Sequence, residues 1–146
     1  MNNKTNINEL NKILKGEHMA VDSFDKFIKN VNEPNIKSEL QKIQQNHRQH
    51  TTQIAERIQQ LGGNPANNVG IQGMITEAVS NIRDMGNQDT LHYLNKAYDG
   101  ENIGVNSAAE IVKSNLDTES MTLINNILNE DRNNVNTLNN LINNLQ

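Results

Sequence analysis

Residues 34–65 read PNIKSELQKIQQNHRQHTTQIAERIQQLGGNP. Ile36, Leu40, Ile43, Ile54, Ile58 and Leu61 recur at threes and fours, the spacing that lines one face of an amphipathic helix. The seam lacks its apolar residues midway, and His47 and His50 stand in the gap. Pro34 suits a first helical turn, where a missing N–H breaks no bond. Leu61-Gly62-Gly63-Asn64-Pro65 offers a left-handed C-cap followed by a residue that cannot continue the helix. The stretch predicts a helix over about 35–61 that carries two imidazoles at core positions.

Working outward, the upstream segment has Ile7, Leu10, Leu14, Val21, Phe24, Ile28 and Val31 on one seam, with Glu17 in its single gap. This predicts a helix over about 5–31. Downstream, residues 62–70 read as a Gly/Asn loop, and Ile71, Met74, Ile75, Ala78, Val79 and Ile82 make the short apolar face of a crossover helix over about 71–85. That helix closes one end of the bundle or meets another copy, uses that suit flexible methionines. A third long helix, about 88–113, follows from Leu91, Leu94, Tyr98, Val105, Ala108 and Val112, with Glu101 at its centre. The last, about 117–145, has Leu123, Ile127, Leu138, Leu141 and Leu145, with Glu130 on the stripe and Asn133 and Asn134 one turn on. The fold expected is all-α: one domain over 1–146, an antiparallel four-helix bundle with one long crossover carrying a short extra helix.

Composition narrows the function. About a fifth of the residues are asparagine, which lowers helix propensity by a few tenths of a kcal/mol per site, so packing must supply the order. Net charge is −4 with both signs interspersed, and no basic stripe or aromatic ladder suggests nucleic-acid binding. The N-terminus, MNNKTNINEL, has no signal-peptide run, and no membrane-length apolar stretch occurs. A cytoplasmic protein with no membrane partner is expected. Cysteine is absent, so thiolate chemistry, disulfides and Cys-ligated metals are excluded. Any metal must be held by oxygen and nitrogen.

A carboxylate on a bundle seam loses its water at a cost of several kcal/mol unless it is paired or ligated. Glu17, Glu101 and Glu130 all sit there, at similar depths in their helices, and antiparallel packing brings them level with His47 and His50. At i, i+3 the two imidazoles project within about 60° of each other and can reach one point. A single such residue is ordinarily satisfied by a local hydrogen bond. Five at one level on four helices point to a divalent metal, iron, manganese or zinc, held by Glu17, His47, His50, Glu101 and Glu130. The other candidates read differently. His18, about 100° around from Glu17, belongs at an interface edge or in solvent, and His92 on the surface. Tyr98 is a core residue or a hydrogen-bonding partner of a ligand. Asp131-Arg132 belongs to the solvated face.

The halves also echo each other, with an offset of 84 residues from Glu17 to Glu101 and 83 from His47 to Glu130 and from His50 to Asn133. This layout resembles the ferritin-like superfamily, especially its small rubrerythrin-related members, which place a Glu on the first and third helices and Glu-x-x-His on the second and fourth. The resemblance covers nearly the whole chain. Glu17 and Glu101 match the single glutamates, His50 the histidine of the second helix and Glu130 the glutamate of the fourth. Two positions depart: His47 stands where the family has a bridging Glu, and Asn133 where it has the second His. The resemblance implies a dinuclear iron centre acting on oxygen or peroxide, a small oxidant. With three carboxylates left, a dinuclear site is underligated, whereas one metal held by His47, His50 and some of the three glutamates is charge-balanced. The rival expectation is a metal-free bundle with a structural or assembly role, its polar residues forming a hydrogen-bonded layer. Exposed helix faces leave room for a homo-oligomer.

Overall fold

The computed structural model describes residues 3–67 and 89–145, which form four helices and, among the described residues, no strand. They are α1 (Asn3–Asn30), α2 (Pro34–Gln60), α3 (Thr90–Ile111) and α4 (Thr118–Leu145), each ending within two residues of its expected bounds. The crossover helix expected over 71–85 lies outside the described residues.

Local chemistry sets the boundaries. Glu33, in an extended conformation, precedes Pro34 at the start of α2. Asp89 caps α3 by accepting from the His92 N–H at 2.9 Å, and Asp117 caps α4 through the Ser120 N–H at 2.8 Å. At the end of α2, Gly62 adopts φ +85°. Gly62 N–H donates to Gln59 O at 3.0 Å and Gly63 N–H to Ile58 O at 2.9 Å. Those two bonds are a Schellman motif, and its left-handed position strains any residue with a Cβ. A Cβ on Gly63 would lie 2.8 Å from the Ile7 side chain, so the start of α1 packs directly on the end of α2.

Further contacts fix the direction of each helix. Thr90 Oγ1 donates to Glu33 Oε2 at 2.5 Å, placing the start of α3 beside the α1–α2 turn. Asp117 N–H donates to Asn6 Oδ1 at 3.0 Å, and Arg57 reaches Asp117 at 2.9 Å, so the start of α4 lies at the opposite end. Each helix is thus antiparallel to its neighbours, α1 against α2 and α3, and α4 against α2 and α3. The diagonal helices α2 and α3 point the same way.

The core is divided in two. One apolar cluster, near the α1–α2 turn, is built from residues such as Phe24, Phe27, Leu40, Ile43, Tyr93 and Leu138. The other, at the far end, is built from residues such as Leu10, Leu14, Ile54, Ile58, Ile124 and Ile127. Each fully buried Leu, Ile or Phe stabilises by roughly 1.5–3 kcal/mol, so the clusters hold the bundle and can carry a polar layer between them. Glu17, Gln44, His47, His50, Glu101, Asp131 and Asn134 are the buried polar residues at that level.

Two seams are rotated from the expected ones. In α3 the buried stripe is Tyr93, Leu94, Ala97, Glu101, Ala108 and Ile111, while Leu91, Tyr98, Val105 and Val112 flank it half-buried. In α4 the stripe is Ser120, Ile124, Ile127, Leu128, Asp131, Asn134, Leu138 and Ile142. Leu123 and Leu141 are half-buried and Leu145 is exposed. Asp131, expected on the solvated face, is therefore inside, and Asn134 rather than Asn133 is buried.

Candidate metal centre

All four helices bring polar groups to the layer between the apolar clusters: Glu17 from α1, Gln44, His47 and His50 from α2, Glu101 from α3, and Asp131 and Asn134 from α4. His47 is central to it. Its Nδ1–H donates to Glu17 Oε2 at 2.5 Å, and its Nε2–H donates to Glu101 Oε1. Phe24 packs against the ring at a centroid distance of 5.7 Å. His50, one turn on, is completely buried. Its Nδ1 lies 3.3 Å from Glu17 Oε2 and 3.7 Å from Asp131 Oδ1, while its Nε2–H donates to Glu130 Oε2 at 2.7 Å.

Burial opposes charge on every one of these groups, and their mutual pairing decides the outcome. Burial pushes His47 down, but hydrogen bonds and charge from Glu101 and Glu17 outweigh it and hold the imidazole well above its usual range. His50 is raised by Glu17, Glu130 and Asp131 against the same desolvation. Burial pushes Glu17 up, yet the two imidazoles bring it below the usual carboxylate range. Asp131 has no such rescue. Burial first, then the Glu17 and Glu101 charges, overcome both imidazoles and push it up to about 8.

Glu17, His47, His50 and Asp131 each offer a ligand atom within 4.8 Å of the others, and all four are buried. Asp131 Oδ1 is buried without a hydrogen-bond partner. So is Asn134 Nδ2, whose amide oxygen accepts from Asn46 Nδ2 at 3.1 Å. Native interiors rarely leave polar atoms unpaired, and an unpaired carboxylate oxygen beside two imidazoles and a second carboxylate is what a cation would satisfy.

Of the five residues singled out in the sequence, Glu17, His47 and His50 fall within this group. Glu101 is buried but approaches through His47 Nε2. Glu130 comes from the bundle edge, with its side chain 47% exposed, and meets the layer only through His50 Nε2. Asp131 and Asn134 were missed, although the sequence held the signal. With them the internal repeat keeps one offset of 84 residues throughout: Glu17 to Glu101, His47 to Asp131, His50 to Asn134. His18 is half-buried, and its Nε2 lies 3.1 Å from Ala66 O. His92 is half-buried at the start of α3 with its ring edge-on to Tyr93. Tyr98 packs against the cluster at the α1–α2 turn.

With this geometry the relatives can be placed. A family model described as a domain of unknown function, DUF2383, matches residues 5–114. The chain belongs to the DUF2383 family. No curated protein sequence matches it. Solved structures resemble it throughout its length. A dodecameric thioferritin, the bacterioferritin-related protein of Bacteroides fragilis, aligns with a TM-score of 0.79 at 19% identity, covering 99% of this chain and 88% of that one. The Dps protein of Vibrio cholerae O1, a member of the ferritin-like diiron-carboxylate superfamily, gives 0.74 at 16% identity, covering 96% and 90%. A ferritin-like diiron-carboxylate protein of Bacillus anthracis gives 0.72 at 19% identity, covering 97% and 99%. This DUF2383 chain has the ferritin-like four-helix bundle fold, and its core carries a Glu/His/Asp group suited to a metal ion. No described helix is long and apolar enough to cross a membrane.

Proposed function

We propose that this DUF2383 protein is a metal-binding member of the ferritin-like superfamily, of its small rubrerythrin-related kind, holding one divalent ion in the middle of the bundle. Glu17, His47, His50 and Asp131 would be its ligands. The observation that carries this reading is the unpartnered Asp131 oxygen facing the Glu17–His50 pair. Two carboxylates and two imidazoles balance one doubly charged ion and suit iron, manganese or zinc. Bound iron or manganese would supply electron transfer to oxygen or peroxide. The chain's own part is to hold the ion between two apolar clusters that exclude water and to release the protons now held by His47 and His50.

The residues do not fit a second ion. Asn134, at the position mirrored by His50, has its oxygen taken by Asn46, and its buried Nδ2 is a donor with no lone pair to offer a cation. His47 stands where the superfamily pattern has a bridging carboxylate, and an imidazole with one nitrogen on the first ion and the other bonded to Glu101 has none left for a second.

Metal analysis of untagged protein purified without added metal tests the reading. Close to one equivalent of iron, manganese or zinc, lost in His50→Ala and Asp131→Ala, is expected. Metal-free protein whose melting ignores both zinc and chelator would overturn it. That outcome would favour the second reading, a metal-free structural bundle, which His47 supports by being fully paired between Glu17 and Glu101. Under that reading Glu17→Leu, His50→Leu and Asp131→Leu together would raise the melting temperature. We also propose self-assembly through exposed helix faces, in a cytoplasmic protein, which sedimentation analysis would check.

A further inference from the structure

Glu130 is a solvent-exposed carboxylate that meets the layer at His50, and its place is odd for a ligand. His50 is completely buried and presents its two nitrogens in opposite directions. Nδ1 faces the gap between Glu17 and Asp131, at 3.3 and 3.7 Å. Nε2 faces outward, 2.7 Å from Glu130 Oε2, and the Glu130 side chain is 47% exposed. The adjacent residue Asp131 points inward, so one turn of α4 sets one carboxylate in front of the imidazole and one behind it. Among neighbouring helices, α2 and α4 are the most thinly packed against each other, and Glu130 lies on that seam.

We infer that Glu130 is a positioning residue for the metal centre: it fixes the His50 tautomer and ring orientation from behind and does not itself bind the ion. The inference rests on the one-ion reading above. An imidazole can bind a cation through Nδ1 only if that nitrogen is bare, so the neutral ring must carry its proton on Nε2. A buried N–H needs an acceptor, and Glu130 Oε2 is the one the structure gives it. Without that acceptor, the competing tautomer with hydrogen on Nδ1 gains, because Nδ1–H can donate to Glu17 or Asp131. That form turns a hydrogen toward the place of the ion. Such outer carboxylates are worth roughly 10–100-fold in metal affinity. Glu101 stands in the corresponding place behind His47, but it is buried, so its removal would strand a charge as well. Glu130 is therefore the cleaner position to test.

The experiment uses the full chain and cobalt(II) as probe, whose absorption bands report the ligand set. Glu130→Ala is expected to bind one equivalent with the spectrum of the native protein, but about 10–100-fold more weakly. Glu130→Gln, which keeps an acceptor oxygen without the charge, should recover most of that loss. In the zinc-loaded protein, nitrogen-15 spectra should show hydrogen on His50 Nε2. An altered cobalt spectrum in Glu130→Ala would make Glu130 a ligand and overturn the inference, as would an affinity within twofold of the native protein. If the native chain takes no cobalt at all, the one-ion reading fails and this one with it. Loss confined to the variant leaves that reading intact.

Discussion

The two helical hairpins of this bundle are built on one repeat, yet their interiors are unlike. In α1–α2 the repeat positions hold Glu17, His47 and His50, all buried and bonded to one another or to carboxylates across the layer. In α3–α4 the same positions hold Glu101, Asp131 and Asn134, with no imidazole and with two buried atoms lacking partners. The backbone keeps a twofold plan that the side chains have abandoned. One half carries both imidazoles and the cationic charge that neutralises its neighbours; the other supplies a spare oxygen. A site shared between such halves should be lopsided, and substitutions at mirrored positions should have unequal effects.

The largest inequality is expected in the metal-free protein. Glu17 bonds both imidazoles, so Glu17→Ala leaves buried positive charge without its carboxylate, a loss of about 3–5 kcal/mol. Asp131→Ala removes a group that burial already holds largely protonated at neutral pH and should cost no more than about 1 kcal/mol. Urea unfolding with chelator present measures both. Equal losses would mean that the second half is as tightly engaged as the first.

Metal binding should divide the halves nearly as sharply. His50→Ala is expected to weaken zinc by more than the roughly 10–100-fold typical of losing an outer partner, while Asn134→Ala, its mirror, should change zinc affinity less than about threefold. Chelator-competition titration reads both. Restoring the pattern is the converse: His47→Glu in the first hairpin with Asn134→His in the second supplies the two groups missing from Glu-x-x-His, and zinc stoichiometry should rise from one to two.

These contrasts bear on what the sequence could tell. The helices, their ends and the level of the polar layer were legible because proline, glycine and gaps in apolar periodicity are local signals. The rotational phase of α3 and α4 was not. Leu123-Ile124, Ile127-Leu128 and Leu141-Ile142 are adjacent apolar pairs, and each offers two seams about 100° apart with equal hydrophobic content. Packing against α2 and α3 chooses between them, and it chose the one that turns Asp131 inward and leaves Glu130 at the edge. Only the uniform 84-residue offset could have broken that tie from sequence.

A smaller effect should appear on changing pH without metal. His47 and His50 are raised in the folded state, so their stabilisation is complete below the unfolded imidazole value, about 6.5, and is lost as pH rises through the folded values. Asp131, raised to about 8, acts in the same direction. The native form keeps a proton that the unfolded form has shed, so stability falls between about pH 4 and 8. Glu17, lowered, works oppositely and only in acid, where its contribution fades as pH falls through its folded value. The metal-free protein should therefore melt highest in mildly acidic solution and lose stability toward pH 8. Saturating zinc, which displaces those protons, should flatten or reverse that slope. Asp131→Asn should flatten it without metal, since it removes one of the three raised groups; an unchanged slope would leave the imidazoles solely responsible.

The smallest change isolates the orphan amide. Asn134 bonds Asn46 through its oxygen but buries an unpaired Nδ2. An unsatisfied buried donor costs about 1–3 kcal/mol, partly offset by the bond that the oxygen makes. Asn134→Leu keeps the volume, abolishes the orphan and leaves half-buried Asn46 able to turn toward water. The variant should be more stable than the native protein by about 1 kcal/mol in thermal unfolding with chelator, and its zinc affinity should be unchanged. A destabilised variant with weakened zinc would show that Asn134 takes part in the centre beside Asp131, and the asymmetry between the hairpins would then describe the metal-free state alone.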